Sequence, residues 1–320
     1  MTLVGCRDLN SFPPISDYAF LSDCETSALI SPAGSVEWLC VPRMDSESVF
    51  AAILDRDAGH FRLGPAGATV PSARRYLPGT LVLETTWMTA TGWLTVQDAL
   101  LVGPWGMEDE PAPPYRRPPR DHRAEHVLLR TATCIKGSVE LALECEPALA
   151  YGRLRPRWSH VADGELRADP DRAETALTLK TDLRLGIESR GAHARTTLRE
   201  GDKAFAALSW AGRSAPSTYE EADARVERTV SFWRDWLARG RFPDHPWRSQ
   251  LQRSALVLKG LTYAPTGAMV AAATTSLPEQ IGGERNWDYR YAWIRDSTFV
   301  LWGLYTVSYT HLTLPTTPYV

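Results

Sequence analysis

The sequence predicts a β + α multidomain protein. An antiparallel β-sandwich spans residues 15–212, linker helices follow at 213–267, and a helical domain opens at 268–306. Three observations predict this. Apolar residues recur at period two in the first two thirds of the chain, which is strand spacing. They recur at steps of three and four after Ser217, which is helix spacing. The helical part then stops after two or three helices, too few to close a core of their own.

The strands come first. Val139, Leu141, Leu143 and Cys145 alternate with Glu140, Ala142 and Glu144, giving one buried and one wet face. Leu177, Leu179, Leu183, Leu185 and Ile187 do the same against Thr178, Lys180, Asp182 and Arg184. Turn signals separate the runs at Pro78-Gly79, Thr91-Gly92, Lys136-Gly137-Ser138 and Glu200-Gly201-Asp202. The Pro-rich, charged stretch from Glu108 to Arg123 predicts a solvated loop.

The helices follow. Ser217-Thr218-Tyr219-Glu220 has the form of a capping box. Behind it, Val226, Val230, Trp233 and Leu237 share one face, and Gly240 closes the helix. Asp244-His245-Pro246 predicts the next start, with Pro in the first turn where its missing N–H is harmless. Trp247, Leu251, Ala255 and Leu258 form the expected buried stripe, Gly260 weakens the helix and Pro265 ends it. A third helix is expected from about Ala292 to Tyr305, with Trp293, Val300 and Leu304 on one side.

Bulk properties narrow the function. The chain of 320 residues is 44% hydrophobic and 23% charged, with net charge −3. That balance gives no electrostatic case for nucleic acid or an anionic membrane. Twelve tryptophans are core residues first, and flat faces for a sugar ring second. The five cysteines are odd in number, match no metal spacing and fit a reducing compartment. Residues 1–14, MTLVGCRDLNSFPP, form an N-terminal extension without the apolar core of a signal peptide. With no apolar run of about eighteen residues either, the expected location is the cytoplasm.

The chemistry concentrates between Ala271 and Ser297. AAATTSLPEQIGGERNWDYR carries Pro278, Gly282 and Gly283, so it is a loop, and it holds Glu279, Glu284 and Asp288. Arg295 and Asp296 follow. An Arg-Asp pair in a first helical turn has an ordinary structural use, since Asp favours a helix N-terminus. Trp287, Tyr289, Tyr291 and Trp293, however, make a poor helix face and a good rim for a sugar. A neutral sugar needs ionic hydrogen-bonding groups that bridge hydroxyls, plus an aromatic platform.

WDYRYAWIRDS, Trp287 to Ser297, resembles the first catalytic-domain motif of glycoside hydrolase family 15, the glucoamylase-like enzymes. Ile15 to Asp55 resembles the start of its bacterial and archaeal members, which set a β-sandwich ahead of an (α/α)6 barrel. YEEA, FPDHPWR and QRSALVLKGLTY extend the likeness, from about Phe12 to Thr306, to the actinobacterial trehalase branch. The resemblance implies an inverting α-glucosidase and an incomplete barrel, represented by its first helix. It implies that Arg295 and Asp296 bind hydroxyls of the terminal glucose. Trp293 belongs to that pocket, and Tyr289 lies near the developing oxocarbenium. Inversion needs two carboxyl groups about 6.5–9.5 Å apart. The family's acid and base are Glu residues in later segments, so no catalytic residue is assigned here and the chain is expected to be inactive. Glu279, Glu284 and Asp288 are not promoted to those roles. No cofactor and no metal are implied.

The tail from Val307 to Val320 departs from both helix and family: Pro315 and Pro318 forbid a continuing helix. It reads as non-native sequence. The substrate implied is trehalose, with malto-oligosaccharides and other α-glucans as alternatives that share the terminal glucose. A non-catalytic sandwich that binds carbohydrate or a partner is the alternative from another class. The oligomeric state is not indicated. A further expectation is that the Trp247 and Trp293 helices leave apolar faces uncovered.

Overall fold

One long strand organises the β-region. The computed structural model describes residues 12–103, 123–170, 175–188, 190–277 and 282–307. Residues 1–11 of the N-terminal extension, the expected loop up to residue 122, Glu279 and the tail from residue 308 lie outside the described residues. In chain order the strands are β1 (Ala19–Ser22), β2 (Ser27–Ile30), β3 (Ser35–Cys40), β4 (Ser48–Phe50) and β5 (His60–Pro65). There follow β6 (Ala73–Tyr76), β7 (Leu83–Met88), β8 (Gly92–Gly103), β9 (Arg123–Glu146), β10 (Arg157–Ala162) and β11 (Glu165–Asp169). The series ends with β12 (Leu177–Thr181), β13 (Gly186–Glu188), β14 (Gly191–Arg199) and β15 (Lys203–Ser209).

All pairings are antiparallel. The first half of β9 pairs with β8 and β15, and its second half with β5 and β14. The strand therefore belongs to two facing layers. One contains β1, β2, β3, β5 and β14, and the other contains β7, β8, β15, β12 and β11. Val36, Phe61, Leu63, Leu141 and Leu143 from the first layer pack with Leu94, Val96, Leu128, Ala206 and Leu208 from the second. Leu128, Ala132 and Cys134 point inward in the first half of β9, and Val139, Leu141, Leu143 and Cys145 in the second. Even positions give way to odd ones. The register shift opposite Trp93 and Leu94 produces the change, because one extra residue flips every later side chain.

Two sequence expectations change here. Lys136-Gly137-Ser138 lies inside β9, as a bend and not a chain reversal. Gly137 has φ +70°, and a Cβ there would stand 2.2 Å from the Thr91 carbonyl. The alternating run from Leu177 to Ile187 is two strands. β12 pairs with β15, β13 pairs with β14, and the residues between them cross from one layer to the other. Leu177 and Leu179 are buried while Ile187 is exposed.

Helix α1 (Tyr219–Ala238) covers the outside of the second layer. Ala222, Val226 and Val230 pack on Val82, Ala99, Leu101, Val127, Leu129 and Phe205. The outer face of β8, β9 and β15 is thus buried in this region. The cap stands one residue later than the sequence suggests. Thr218 Oγ1 accepts from the Glu221 N–H at 3.2 Å, and the Glu221 carboxylate accepts from the Ser217 N–H at 2.8 Å. Thr218→Ala is expected to lower stability by about 1 kcal/mol, read from urea unfolding. An unchanged midpoint would refute this role.

Helix α2 (Arg248–Gly260) begins after Trp247, two residues beyond Pro246. Its buried residues are Ala255, Leu256, Lys259 and Gly260, with Leu258 partly buried. Trp247 and Leu251 are exposed, which corrects half of the expected stripe. Gly260 permits close approach to the sandwich. A Cβ there would stand 2.7 Å from the Phe20 ring, and Ser22 Oγ donates to the Gly260 carbonyl at 2.7 Å. The short strands β16 (Thr262–Tyr263) and β17 (Ala268–Met269) lead towards helix α3 (Ile294–Thr306). Leu304 of α3 is buried and Val300 partly so, while Ile294, Phe299, Trp302 and Tyr305 are exposed. Among the described residues, no helix is long and apolar enough to cross a membrane.

Candidate functional site

The aromatic segment ahead of α3 is held from two directions. Its backbone pairs with residues 270–272: the Ala272 N–H donates to the Tyr289 carbonyl at 2.8 Å, and the Ala271 N–H to the Tyr291 carbonyl at 3.1 Å. The next residue, Ala273, accepts from Trp38 Nε1 at 2.7 Å, so this layer rests on β3. Arg290 supplies the second hold. It is buried, while Trp287 and Tyr291 near it are exposed.

Every nitrogen of the Arg290 guanidinium is used. Nε donates to Asp288 Oδ1 at 3.0 Å and Nη2 to Asp288 Oδ2 at 2.7 Å. Nη2 also donates to the Tyr151 hydroxyl at 2.8 Å. Nη1 donates to the carbonyls of Ser46 and Met44 and lies 3.4 Å from Cys40 Sγ. The rings of Trp38 and Tyr151 flank the group at 5.9 and 5.7 Å. Burial opposes the charge of Arg290, but the Asp288 carboxylate outweighs it and raises its pKa. Burial also works against the Asp288 anion, and the Arg290 hydrogen bonds reverse that effect and lower its pKa. Burial pushes the Cys40 thiol up to about 12, against the pull of Arg290, so it stays a neutral SH.

The four residues singled out in the sequence lie together at the start of α3. The Tyr289 and Trp293 rings stack, with centroids 5.6 Å apart and planes 19° from parallel. Trp293 is the N-cap residue of α3 and uses no side-chain cap. Arg295 stands over the Trp293 ring at 5.8 Å. Its Nη2 lies 3.4 Å from Asp296 Oδ2, with the two side chains 69% and 34% exposed. A pair so open to water contributes about 0–1 kcal/mol to stability. Asp296 Oδ2 accepts no hydrogen bond from the protein. Asp296 also sits in the first turn of α3, where the helix dipole favours its charge. The arrangement sets two stacked aromatic rings beside a cation and an anion.

Glu284 is exposed and Asp288 is committed to Arg290, so neither stands in this group. Among the described residues, no cluster of three or more His, Cys, Asp or Glu is placed to hold a metal ion. An open cleft of about 410 Å³, lined by residues including Asp17, Tyr18, Arg74 and Tyr76, lies on the sandwich and contains none of the four. Sequence reasoning did not place Arg290 in the site. The Asp-x-Arg spacing shows the pair, but Tyr151 and Ser46 are 139 and 244 residues away and leave no local signal.

The family described as trehalase-like, N-terminal, matches residues 9–101, and glycosyl hydrolases family 15 matches residues 246–313. Trehalases of Mycolicibacterium smegmatis and Mycobacterium tuberculosis are 63% and 62% identical over 304 residues. In each case that is 93% of this chain and 45% of the relative. A trehalase of Thermoplasma volcanium is 27% identical over 94% of the chain and 46% of its own length. Among solved structures, a bacterial glucoamylase complexed with acarbose superposes with TM-score 0.54 at 12% identity, over 92% of this chain and 48% of that one. At that identity the likeness is one of fold. The chain spans somewhat under half the length of the curated relatives it matches.

Proposed function

Because the chain belongs to glycoside hydrolase family 15, in its trehalase branch, we propose that it is the sugar-recognition part of an inverting α-glucosidase that cleaves trehalose. The observation that carries the proposal is the Tyr289–Trp293 stack beside Arg295 and Asp296. The aromatic faces carry the apolar side of a glucose ring. Arg295 donates to a hydroxyl and Asp296 accepts from its neighbour, which fixes the ring's rotation on the platform.

The reading extends to organisation. The sandwich ends near residue 212, linker helices run to 267, and residues 268–306 begin an (α/α)6 barrel. Ile294, Phe299, Trp302 and Tyr305 on the open side of α3 are where the remaining helices of such a barrel would pack. In the proposed barrel the general acid and base belong to its later helices. The activity is placed in the cytoplasm, where the buried thiols of Cys24, Cys40, Cys134 and Cys145 stay reduced.

Titration of the chain with trehalose and maltose, followed by aromatic fluorescence, tests the proposal. Trehalose binding is the expected result. Asp296→Asn should weaken binding by about tenfold, the worth of one hydrogen bond to a charged group. No signal with either sugar would overturn the site assignment.

A further inference from the structure

We propose that Arg290 is a positioning residue through which the β-sandwich sets the geometry of the sugar platform. The inference rests on the sugar reading of Tyr289, Trp293, Arg295 and Asp296. It makes the sandwich a working part of that site and not only a neighbouring domain.

The argument begins with what the arginine does not need. Asp288 is two residues away and could neutralise it at the surface. Burying a guanidinium requires partners for all its N–H groups, and Arg290 finds them on the sandwich. The Ser46 and Met44 carbonyls follow β3, and the Tyr151 hydroxyl follows β9. One side chain thus joins two separate stretches of the sandwich to the residue next to Tyr289. Its planar fork allows several bonds at fixed angles, which a lysine ammonium cannot reproduce.

A second observation points to the same place. Ala150 and Tyr151 have φ of +51° and +60°, followed by Gly152 at +90°. Two consecutive non-glycine residues in the left-handed region are unfavourable. The turn that holds this conformation is the one that carries the Tyr151 hydroxyl to Arg290. Strain is tolerated where the surrounding structure requires one side-chain position.

The consequence is mechanical. Tyr289 and Trp293 flank Arg290 within three residues, and the Trp38–Ala273 bond steadies the layer beneath them. Releasing Arg290 frees the side of the segment that faces the sandwich, while the backbone bonds to Ala271 and Ala272 remain. The platform then persists but loses its fixed spacing to Arg295 and Asp296.

The test compares Arg290→Lys and Tyr151→Phe with Val226→Ala, which weakens the α1 packing far from the site. Two measurements are made on the whole chain: trehalose binding by fluorescence titration, and hydrogen exchange of peptides covering residues 286–297. Arg290→Lys is expected to bind trehalose about tenfold or more weakly and to exchange faster in that segment. Tyr151→Phe should change both in the same direction by less. Val226→Ala should lower the melting temperature with neither local effect. Wild-type affinity in Arg290→Lys would overturn the proposal, as would equal losses in Val226→Ala. If the wild-type chain binds neither trehalose nor maltose, the sugar reading fails. The exchange measurement then decides the clamp alone: faster exchange confined to residues 286–297 in Arg290→Lys upholds it, and unchanged exchange removes it.

Discussion

Asp98→Ala is expected to destabilise the protein by about 3–5 kcal/mol, because it strands a buried guanidinium. Asp98 on β8 and Arg130 on β9 are direct cross-strand partners, both fully buried between the layers. Arg130 Nε donates to Asp98 Oδ1 at 2.7 Å. Its other two nitrogens reach across the sandwich, to the Phe61 carbonyl at 2.6 Å and the Gly34 carbonyl at 2.7 Å. The Phe61 ring lies 5.0 Å from the guanidinium. The pair is therefore a polar rivet between the two layers. Desolvation makes it a poor source of net stability when intact and a costly thing to break on one side. A double-mutant cycle separates these effects. In an Arg130→Met background, Asp98→Ala should cost about 2 kcal/mol less than in the wild type, since no charge is left behind. Equal costs in both backgrounds would show that the two residues do not act together.

The second large effect concerns pH. Asp23 lies in the β1–β2 turn, fully buried, with its Oδ1 accepting from the N–H groups of Thr26 at 2.7 Å and Glu25 at 2.9 Å. Burial pushes its carboxyl from 3.8 up to about 7, against those hydrogen bonds, and the Glu25 charge pushes the same way. The folded chain then keeps a proton that the unfolded chain releases between these two values. The stability from this proton is fully present below pH 3.8, declines as pH rises, and is gone above about 7. Between pH 5 and 8 the loss amounts to about 2–3 kcal/mol. Urea unfolding at both pH values should show this slope in the wild type and a flatter one in Asp23→Asn. Parallel profiles for the two proteins would remove Asp23 as the cause.

Much of the β-region could be read from local pattern because burial there follows the strand period. Val139, Leu141, Leu143 and Cys145 point inward as their alternation requires. The same reasoning failed at Lys136-Gly137-Ser138, since a glycine with positive φ serves a bulge within a strand as well as a reversal. Helix α1 announced its buried face, but α2 did not. Its apolar residues describe two overlapping stripes, and only packing against Phe20 and Leu81 selects the one that ends at Gly260. At the candidate site, the aromatic and charged residues stood within one short motif. The Arg290 contacts joined positions far apart in sequence, which no periodicity encodes.

The placement of β9 bears on how the chain is made. β5 and β8 are synthesised before it, and β14 and β15 after it. On a ribosome, the early strands have emerged before either half of β9 can pair with them. β9 then finds its neighbours from the earlier chain, yet still offers open edges until Ser209 has left the exit tunnel. Only afterwards does α1 arrive to cover the outer face. Commitment to the native topology is therefore late, and the nascent chain passes through a long interval with unpaired strand edges. A chaperone that shields extended, apolar segments would have the greatest effect in that interval.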